Sequence, residues 1–204
     1  MKIIMTLAVV FVLILGGCGM SYEHGTKAFQ DEYTRDFMKS TKETEEGFYT
    51  YESKTGGYSM LFPVNAKLDD MLYVKEKDYF ERINFGENTA ENFSYYVRLT
   101  YQNKPSMNDL EVQLSILSDE QDYKGRYKET NGRKTLIKYA SEIFKTSNGD
   151  VAYFTFGFIQ SGKNNEQGIK MVYTATCPNE KQKCEINQLE EEKAIRLMKS
   201  IKFN

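Results

Sequence analysis

The sequence predicts an α+β domain, in which an antiparallel β-sheet packs against helices, and three observations favour this fold class. Apolar and polar residues alternate over 93–101, which is the period of a half-buried strand. Two turn-forming pairs follow, Asn131-Gly132 and Asn148-Gly149, and Asn-Gly between strands favours a hairpin. Near the end of the chain, an apolar stripe at helical spacing runs from Ala194 to Ile201.

The first element is an apolar segment that has the features of a secretory signal. Lys2 supplies a positive charge, and the 13 residues Ile3 to Leu15 are apolar except for Thr6. As a helix this run is about 20 Å long at ~1.5 Å per residue, which is short for a hydrocarbon core of roughly 30 Å. Its length fits the apolar region of a signal peptide.

Leu15-Gly16-Gly17-Cys18 closes the apolar run and resembles the lipobox of bacterial lipoproteins. The resemblance implies cleavage before Cys18, a diacylglyceryl group on its thiol and, in part of the family, an acylated amino group. Two or three acyl chains anchor a protein stably, whereas one is marginal. We expect residues 1–17 to be a signal peptide. The alternative is an ordinary signal or an uncleaved anchor with an incidental cysteine.

Composition excludes some partners. Removal of the signal peptide takes Lys2 with it and leaves 26 basic and 29 acidic residues, which is a net charge of about −3. This charge gives no electrostatic footprint for nucleic acid. The chain has 15 Tyr, 13 Phe and no Trp, which is enough aromatic area for one core. The length suits a single domain, predicted over 47–204, and a tether.

Residues 18–46 are mostly polar and predict a lipid-anchored tether that holds the domain clear of the headgroups. Within them, Phe29, Tyr33 and Phe37 recur every fourth residue, on one face of a helix. Such a helix could dock on the domain or lie on the membrane. Acidic residues on its polar face favour docking, because lipid surfaces attract basic residues.

The domain is expected to begin with a hairpin. Phe48 to Tyr51 and Tyr58 to Phe62 flank a turn at Gly56-Gly57, and Pro63 stops the second strand. A further strand is expected over 79–85, before the alternating strand over 93–101.

The stretch from Pro105 to Asp122 fits two structures. Leu110, Leu114 and Leu117 share a helical face, whereas alternate residues from Leu110 to Ile116 would share a strand face. Pro105 and the polar start favour a helix capped by Ser106 or Asn108.

An antiparallel meander is expected after the first Asn-Gly pair. Its strands are predicted at 134–145, 151–159 and 169–175, separated by the second Asn-Gly pair and a polar loop at 161–168. A helix over 187–201 closes the domain, with acidic residues near its start and Lys199 near its end, as the helix dipole prefers.

Two segments of the domain resemble PsbP/Mog1-like domains. They are the aromatic-initiated strand Gly57–Pro63 and the closing helix that runs from Ala194 into Ser200-Ile201-Lys202-Phe203. The whole chain is also similar to small uncharacterised lipoproteins of Bacillus-type bacteria and their prophages. The resemblance implies a non-catalytic accessory domain, although a fold alone does not establish a function.

Catalytic patterns are few. His24 is the only histidine and lies in the tether, so His-dependent triads and zinc sites are not expected, and no catalytic, metal or cofactor-binding residue is predicted. Asp69-Asp70 could contribute to a carboxylate-dependent hydrolase, but a solvated turn is the simpler interpretation. Strand tyrosines could form a sugar-stacking surface, although tyrosine is common in strands for packing alone. These tyrosines are Tyr95, Tyr96, Tyr101, Tyr139, Tyr153 and Tyr173.

Two cysteines remain besides Cys18. Cys177 and Cys184 enclose six residues, a spacing that matches no common zinc pattern. An even number of cysteines outside the cytoplasm predicts a disulfide, and a structural clip is favoured over a redox pair.

These features predict a surface lipoprotein that is not an enzyme. Its domain is expected to bind another protein at the outer membrane face, in a cell-surface complex, in colony or biofilm behaviour, or in a prophage function. The alternative is a protein that binds a small ligand or a cell-wall glycan.

The anchor can be tested with Cys18→Ala. The variant should lose labelling by a clickable fatty acid and should leave the membrane fraction, because no thiol remains for the lipid. Retention of the variant in washed membranes to the same extent as wild type would contradict a lipid anchor at Cys18.

Overall fold

The computed structural model describes residues 25–88, 94–145, 150–164, 166–177 and 188–204. They form two antiparallel sheets with helices on both faces of the larger one, which is a sheet-rich α+β domain, as predicted. The helices are α1 Lys27–Gln30, α2 Glu32–Arg35, α3 Leu110–Gln121 and α4 Gln188–Ser200, and a 3-10 turn spans Pro105–Asn108. The strands are β1 Phe48–Glu52, β2 Tyr58–Pro63, β3 Lys67–Leu68, β4 Val74–Glu76, β5 Phe80–Asn88, β6 Ser94–Asn103, β7 Lys128–Asn131, β8 Thr135–Lys145, β9 Val151–Ser161, β10 Gln167–Cys177 and β11 Lys202–Phe203.

The small sheet has the order β1-β2-β11, and the large sheet has the order β3-β5-β6-β10-β9-β8-β7, with β4 paired to β5. The main core lies on the face of the large sheet that meets the small sheet and α4. A second, smaller core on the opposite face packs α3 against β8, β9 and β10 through Leu117, Ala140, Phe156 and Val172. Burial on both faces explains why 151–159 is almost continuously apolar.

The two strongest periodic patterns are confirmed. On β6, Tyr95, Val97, Leu99 and Tyr101 are buried, whereas Tyr96 and Arg98 between them are exposed. On α4, the predicted stripe from Ala194 to Ile201 is buried in the main core. The chain then ends in β11, which pairs with β2 and closes the small sheet.

Both hairpins in the described residues occur, with one correction. The β1–β2 turn contains Gly56 at φ +71°, a conformation that glycine adopts without strain. At Asn131-Gly132 the predicted two-residue turn with positive φ at both positions is wrong. Asn131 ends β7, the loop is Gly132 to Lys134, and Gly132 has no positive φ. Asn148-Gly149 lies outside the described residues, although the flanking strands pair up to Lys145 and Val151.

The ambiguous stretch is helical. α3 begins at Leu110, and the Oδ1 atom of Asp109 accepts a hydrogen bond from the Val112 N–H at 3.1 Å. Asp109 is therefore the N-cap, not Ser106 or Asn108, because the 3-10 turn that begins at Pro105 delays the start of the α-helix by one turn.

Part of the segment expected to be a free tether packs on the domain. We call Thr26–Met38 the N-terminal strap. Ala28, Phe29 and Phe37 of the strap are buried in the main core, and the Ala28 N–H donates to the Val64 carbonyl at 3.0 Å. The packed part of the chain thus begins about twenty residues before residue 47. The physical reason is aromatic burial, which outweighs the polar composition of this segment.

The strap is also not one continuous helix. α1 and α2 are single turns separated by Asp31, whose Oδ1 atom accepts hydrogen bonds from the Thr34 N–H at 2.9 Å and the Thr34 hydroxyl at 2.7 Å. Of the two interpretations of the Phe29, Tyr33 and Phe37 pattern, the structure shows docking on the domain.

Phe37→Ala tests the strap. The ring is 4% exposed and stacks on Tyr51 at 5.5 Å between centroids, so its removal should lower the free energy of unfolding by ~3–5 kcal/mol. Phe144→Ala is the matched control, because this ring is 48% exposed and its removal should cost about 0.5 kcal/mol or less. Urea unfolding measures both. Equal losses in the two variants would contradict a packed strap.

Candidate surface and buried carboxylate

The predicted cysteine and histidine sites lie mostly outside the described residues. Cys18, His24 and Cys184 are among them, whereas Cys177 is the last residue of β10, opposite Val151. The Cys177–Cys184 disulfide and the lipidation of Cys18 remain predictions. No group of three or more His, Cys, Asp or Glu side chains within the described ranges is arranged to hold a metal ion.

Asp69 and Asp70 occupy a turn after β3. The Oδ1 atom of Asp69 accepts from the backbone N–H groups of Met71 at 3.1 Å and Leu72 at 3.2 Å, while Asp70 is exposed. The carboxylate of Asp69 therefore holds the local backbone.

A cleft of about 740 Å³ opens beside this turn, at one end of β5, β6 and β10. Its charged lining is mixed, with Lys27 and Lys67 facing Asp69, Asp70 and Glu87. Of the six strand tyrosines predicted as a stacking surface, only Tyr96 is substantially exposed, at 39%, and it lines this cleft. The others pack in or against the main core. One ring does not make an extended aromatic platform.

The largest exposed apolar feature of the strands is at the free end of β8 and β9. We define the β8–β9 tip as Ser141–Lys145 together with Val151–Thr155. β7 pairs with β8 only from Leu136 to Tyr139. Beyond Tyr139, β8 pairs with β9 alone in the part of the chain that the structure describes, so its outer edge has no ladder partner.

Two large apolar side chains are exposed at this tip, one on each face of the sheet. Ile143 is 62% exposed and lies opposite Tyr153, whereas Phe144 is 48% exposed and packs edge-on against Phe154 at 5.3 Å. Single exposed apolar residues are common, but two on opposite faces of one strand edge are typical of an edge that can associate with another chain.

Carboxylates surround the tip on both faces. A groove of about 870 Å³ between the tip and α4 is lined by Glu142, Glu191 and Glu192. A second groove of about 460 Å³, between the tip and the end of α3, is lined by Asp119, Glu120, Asp122 and again Glu142.

The positive charges at these grooves are fewer. Lys128, which lines the first groove, pairs with Glu191 at 2.8 Å, and Lys170 pairs with Glu120. Lys124 pairs with Asp122 at 3.9 Å, and the exposed Lys145 ends β8. Among the described residues no ion pair neutralises Glu142, Glu192 or Asp119, so the surroundings of the tip keep an excess of negative charge.

A different carboxylate, Glu81 of β5, is fully buried. It accepts hydrogen bonds from the hydroxyls of Tyr51 at 3.1 Å and Tyr73 at 3.0 Å, and from the Lys54 N–H at 3.0 Å. Burial, with the nearby Glu81 charge, raises the pKa of Tyr51 well above its ordinary value. The tyrosine therefore stays protonated and keeps donating to Glu81.

Sequence reasoning missed both features. Glu81 occupies the inward position of β5, opposite Tyr101, where alternation alone predicts an apolar residue. The signal for the tip was Ile143-Phe144, since two adjacent apolar residues must face opposite sides of a strand.

The described residues define a sheet-rich α+β domain. Residues 24–202 match the model of the family described as "Putative lipoprotein YvcA", and the chain belongs to this lipoprotein family. Over 187 residues it is 36% identical to a protein of the same description from Bacillus subtilis (strain 168), covering 86% of this chain and 76% of that protein. No solved structure matches the chain.

The family confirms the predicted resemblance to Bacillus-type lipoproteins, and with it a membrane association through lipid. The helices in the described ranges are too short or too polar to cross a bilayer.

Glu81→Ala tests the buried carboxylate. The change removes the acceptor for two hydroxyls and one backbone N–H, each of which costs ~1–3 kcal/mol when it is buried without a partner. We expect a loss of at least about 2 kcal/mol in the free energy of unfolding, measured in urea. Glu166→Ala, at an exposed loop carboxylate, is the control and should change little. A loss no larger than that of the control would show that the Glu81 network contributes nothing to stability.

Proposed function

We propose that this lipoprotein is a non-catalytic domain that binds another protein at the outer face of the cell membrane, where a lipid on Cys18 anchors it. The observation that carries the proposal is the β8–β9 tip, which combines an unpaired strand edge with exposed apolar residues. Unpaired edges of this kind associate with other chains unless they are protected. We also propose that the domain has the PsbP/Mog1-like fold, consistent with the similar strand and closing helix.

The position of the strap supports a partner close to the membrane. Lys27 Nζ donates to the Asn88 carbonyl at 3.4 Å, so the chain enters the domain at the end of β5. Antiparallel pairing places the end of β5 and the end of β8 at the same end of the sheet. Four strand spacings of ~4.8 Å separate these two strands, or about 19 Å.

The length of chain before the strap gives the distance to the lipid. Seven residues from Cys18 to Gly25 reach at most about 25 Å at ~3.5 Å per residue. With the lipid at Cys18, the tip is thus held near the headgroups, where membrane proteins and other anchored proteins are accessible. An accessory role in a cell-surface complex fits this placement better than capture of soluble proteins.

Binding of a small ligand or glycan in the cleft beside Asp69 is the second candidate. The volume of the cleft, about 740 Å³, is suitable, and Tyr96 offers one stacking face. The cleft has mixed charges and only one exposed aromatic ring among the described strand tyrosines. Its support for ligand binding is therefore weaker than the support that the tip gives to protein binding.

Site-specific photocross-linking tests the proposed function. A benzophenone amino acid replaces Phe144 in the full lipoprotein, in cells that produce it, and irradiated adducts are identified by mass spectrometry. We expect one recurrent protein adduct from this position. The control places the same residue at Glu166, an exposed position in the loop between β9 and β10 at the opposite end of the sheet.

Two results would contradict the proposal. Either the same adducts form from both positions, or irradiation at Phe144 yields only lipid adducts. Phe144→Ala should leave expression and membrane retention unchanged, which separates loss of binding from loss of the protein.

A further inference from the structure

The unpaired edge of β8 is long enough to accept a strand. From Ala140 to Lys145, six residues pair on one side only among the described residues, a length of about 20 Å at ~3.4 Å per residue. A peptide that pairs with this edge would lie on the same side of β8 as β7, just beyond the point where β7 stops pairing. Main-chain hydrogen bonds would supply the affinity, as in other cases of strand addition.

The two grooves are placed to receive alternate side chains of such a strand. An added strand lies ~4.8 Å from β8, and its side chains alternate between the faces of the sheet. On one face they meet Ile143 and the groove beside α4, and on the other Phe144 and the groove beside α3. Each face offers an apolar contact with carboxylates around it.

The charges favour one occupant over others. Six carboxylates line the two grooves, together with Lys128. Lys170 and Lys124 pair with two of these carboxylates, and the exposed Lys145 ends the β8 edge. The carboxylates remain in excess, so an added strand with basic residues would be attracted and an acidic one repelled. A second copy of this chain, paired β8 to β8, would bring the same carboxylates together, which is unfavourable. An anionic lipid surface would meet the same repulsion.

We infer that the partner presents an extended segment that carries both basic and apolar residues on each of its two faces. This segment adds to the free edge of β8 as a further strand. The inference rests on the proposed protein-binding function and specifies the chemistry of the partner. Glu142 is the central selectivity residue, because it lines both grooves.

Peptide binding to the full lipidated protein in phosphatidylcholine nanodiscs tests the inference. The probe is a blocked, fluorescein-labelled heptapeptide in which pairs of valine and pairs of lysine alternate, so that each face of the strand carries both residue types. Fluorescence anisotropy reports its binding. We expect saturable binding, and at least tenfold weaker binding of the counterpart with glutamate in place of lysine. Glu142→Gln with Glu192→Gln should weaken binding at least fivefold, while Glu166→Gln changes it less than twofold.

N-methylated versions of the peptide test whether its main chain pairs with β8. In a strand only every second N–H faces the neighbouring strand, so N-methylation of one alternate set should abolish binding and methylation of the other should preserve it. Loss with both sets, or with neither, would overturn strand addition.

The remaining outcomes separate this inference from the proposed function. If a protein is cross-linked from position 144 but the peptide does not bind, strand addition is overturned and the proposed protein-binding function is still supported. The absence of both would overturn the two together. Sedimentation that shows a dimer strengthened by Glu142→Gln would replace the proposed partner with a second copy of this chain.

Discussion

The fold depends on a buried carboxylate that accepts hydrogen bonds and, within the described residues, forms no ion pair. Glu81 receives hydrogen bonds from Tyr51, Tyr73 and the Lys54 backbone, which lie in or beside β1, its turn and the β3–β5 connection. A buried charge is costly unless its hydrogen bonds are complete, so these three segments are constrained to one arrangement around β5. The small sheet and the large sheet are therefore joined by a polar contact as well as by apolar packing.

The same cluster fixes the N-terminal strap. Tyr73 and Tyr51, the two hydroxyl donors to Glu81, both pack against Phe37, at 5.4 Å and 5.5 Å between ring centroids. Because Phe37 belongs to the strap, the network fixes the C-terminal end of the strap near the beginning of β5, whereas Lys27, near the start of the strap, lies at the opposite end of this strand. The strap is therefore held at both of its ends, by Lys27 at the end of β5 and by Phe37 near the beginning of this strand.

Features governed by local periodicity were predictable, and features governed by distant partners were not. The alternation on β6 and the stripe on α4 each have a single buried face, so the period identified them. Phe29 and Phe37 gave a signal, but whether they dock depends on β1 and β2, which the strap sequence does not contain. The inward position of Glu81 becomes stable only through hydroxyls from other segments. The exposure of Ile143 depends on where β7 stops, which no pattern within β8 reveals.

The charge at the end of α3 shows what protects the free edge. Asp119, Glu120 and Asp122 lie at the C-terminus of this helix, where no basic residue occurs in the last turn. Helix dipoles favour cations at this end, so the carboxylates cost local stability, typically ~0.3–1 kcal/mol each when exposed. These carboxylates line the groove beside the tip. Their like-charge repulsion opposes pairing between the β8 edges of two copies of this chain and disfavours acidic strands. Natural proteins usually blunt such an edge with lysine, and Lys145 at the end of β8 is of this kind. The surrounding carboxylates add a second device, because they disfavour pairing with another copy of this chain and favour the proposed basic strand.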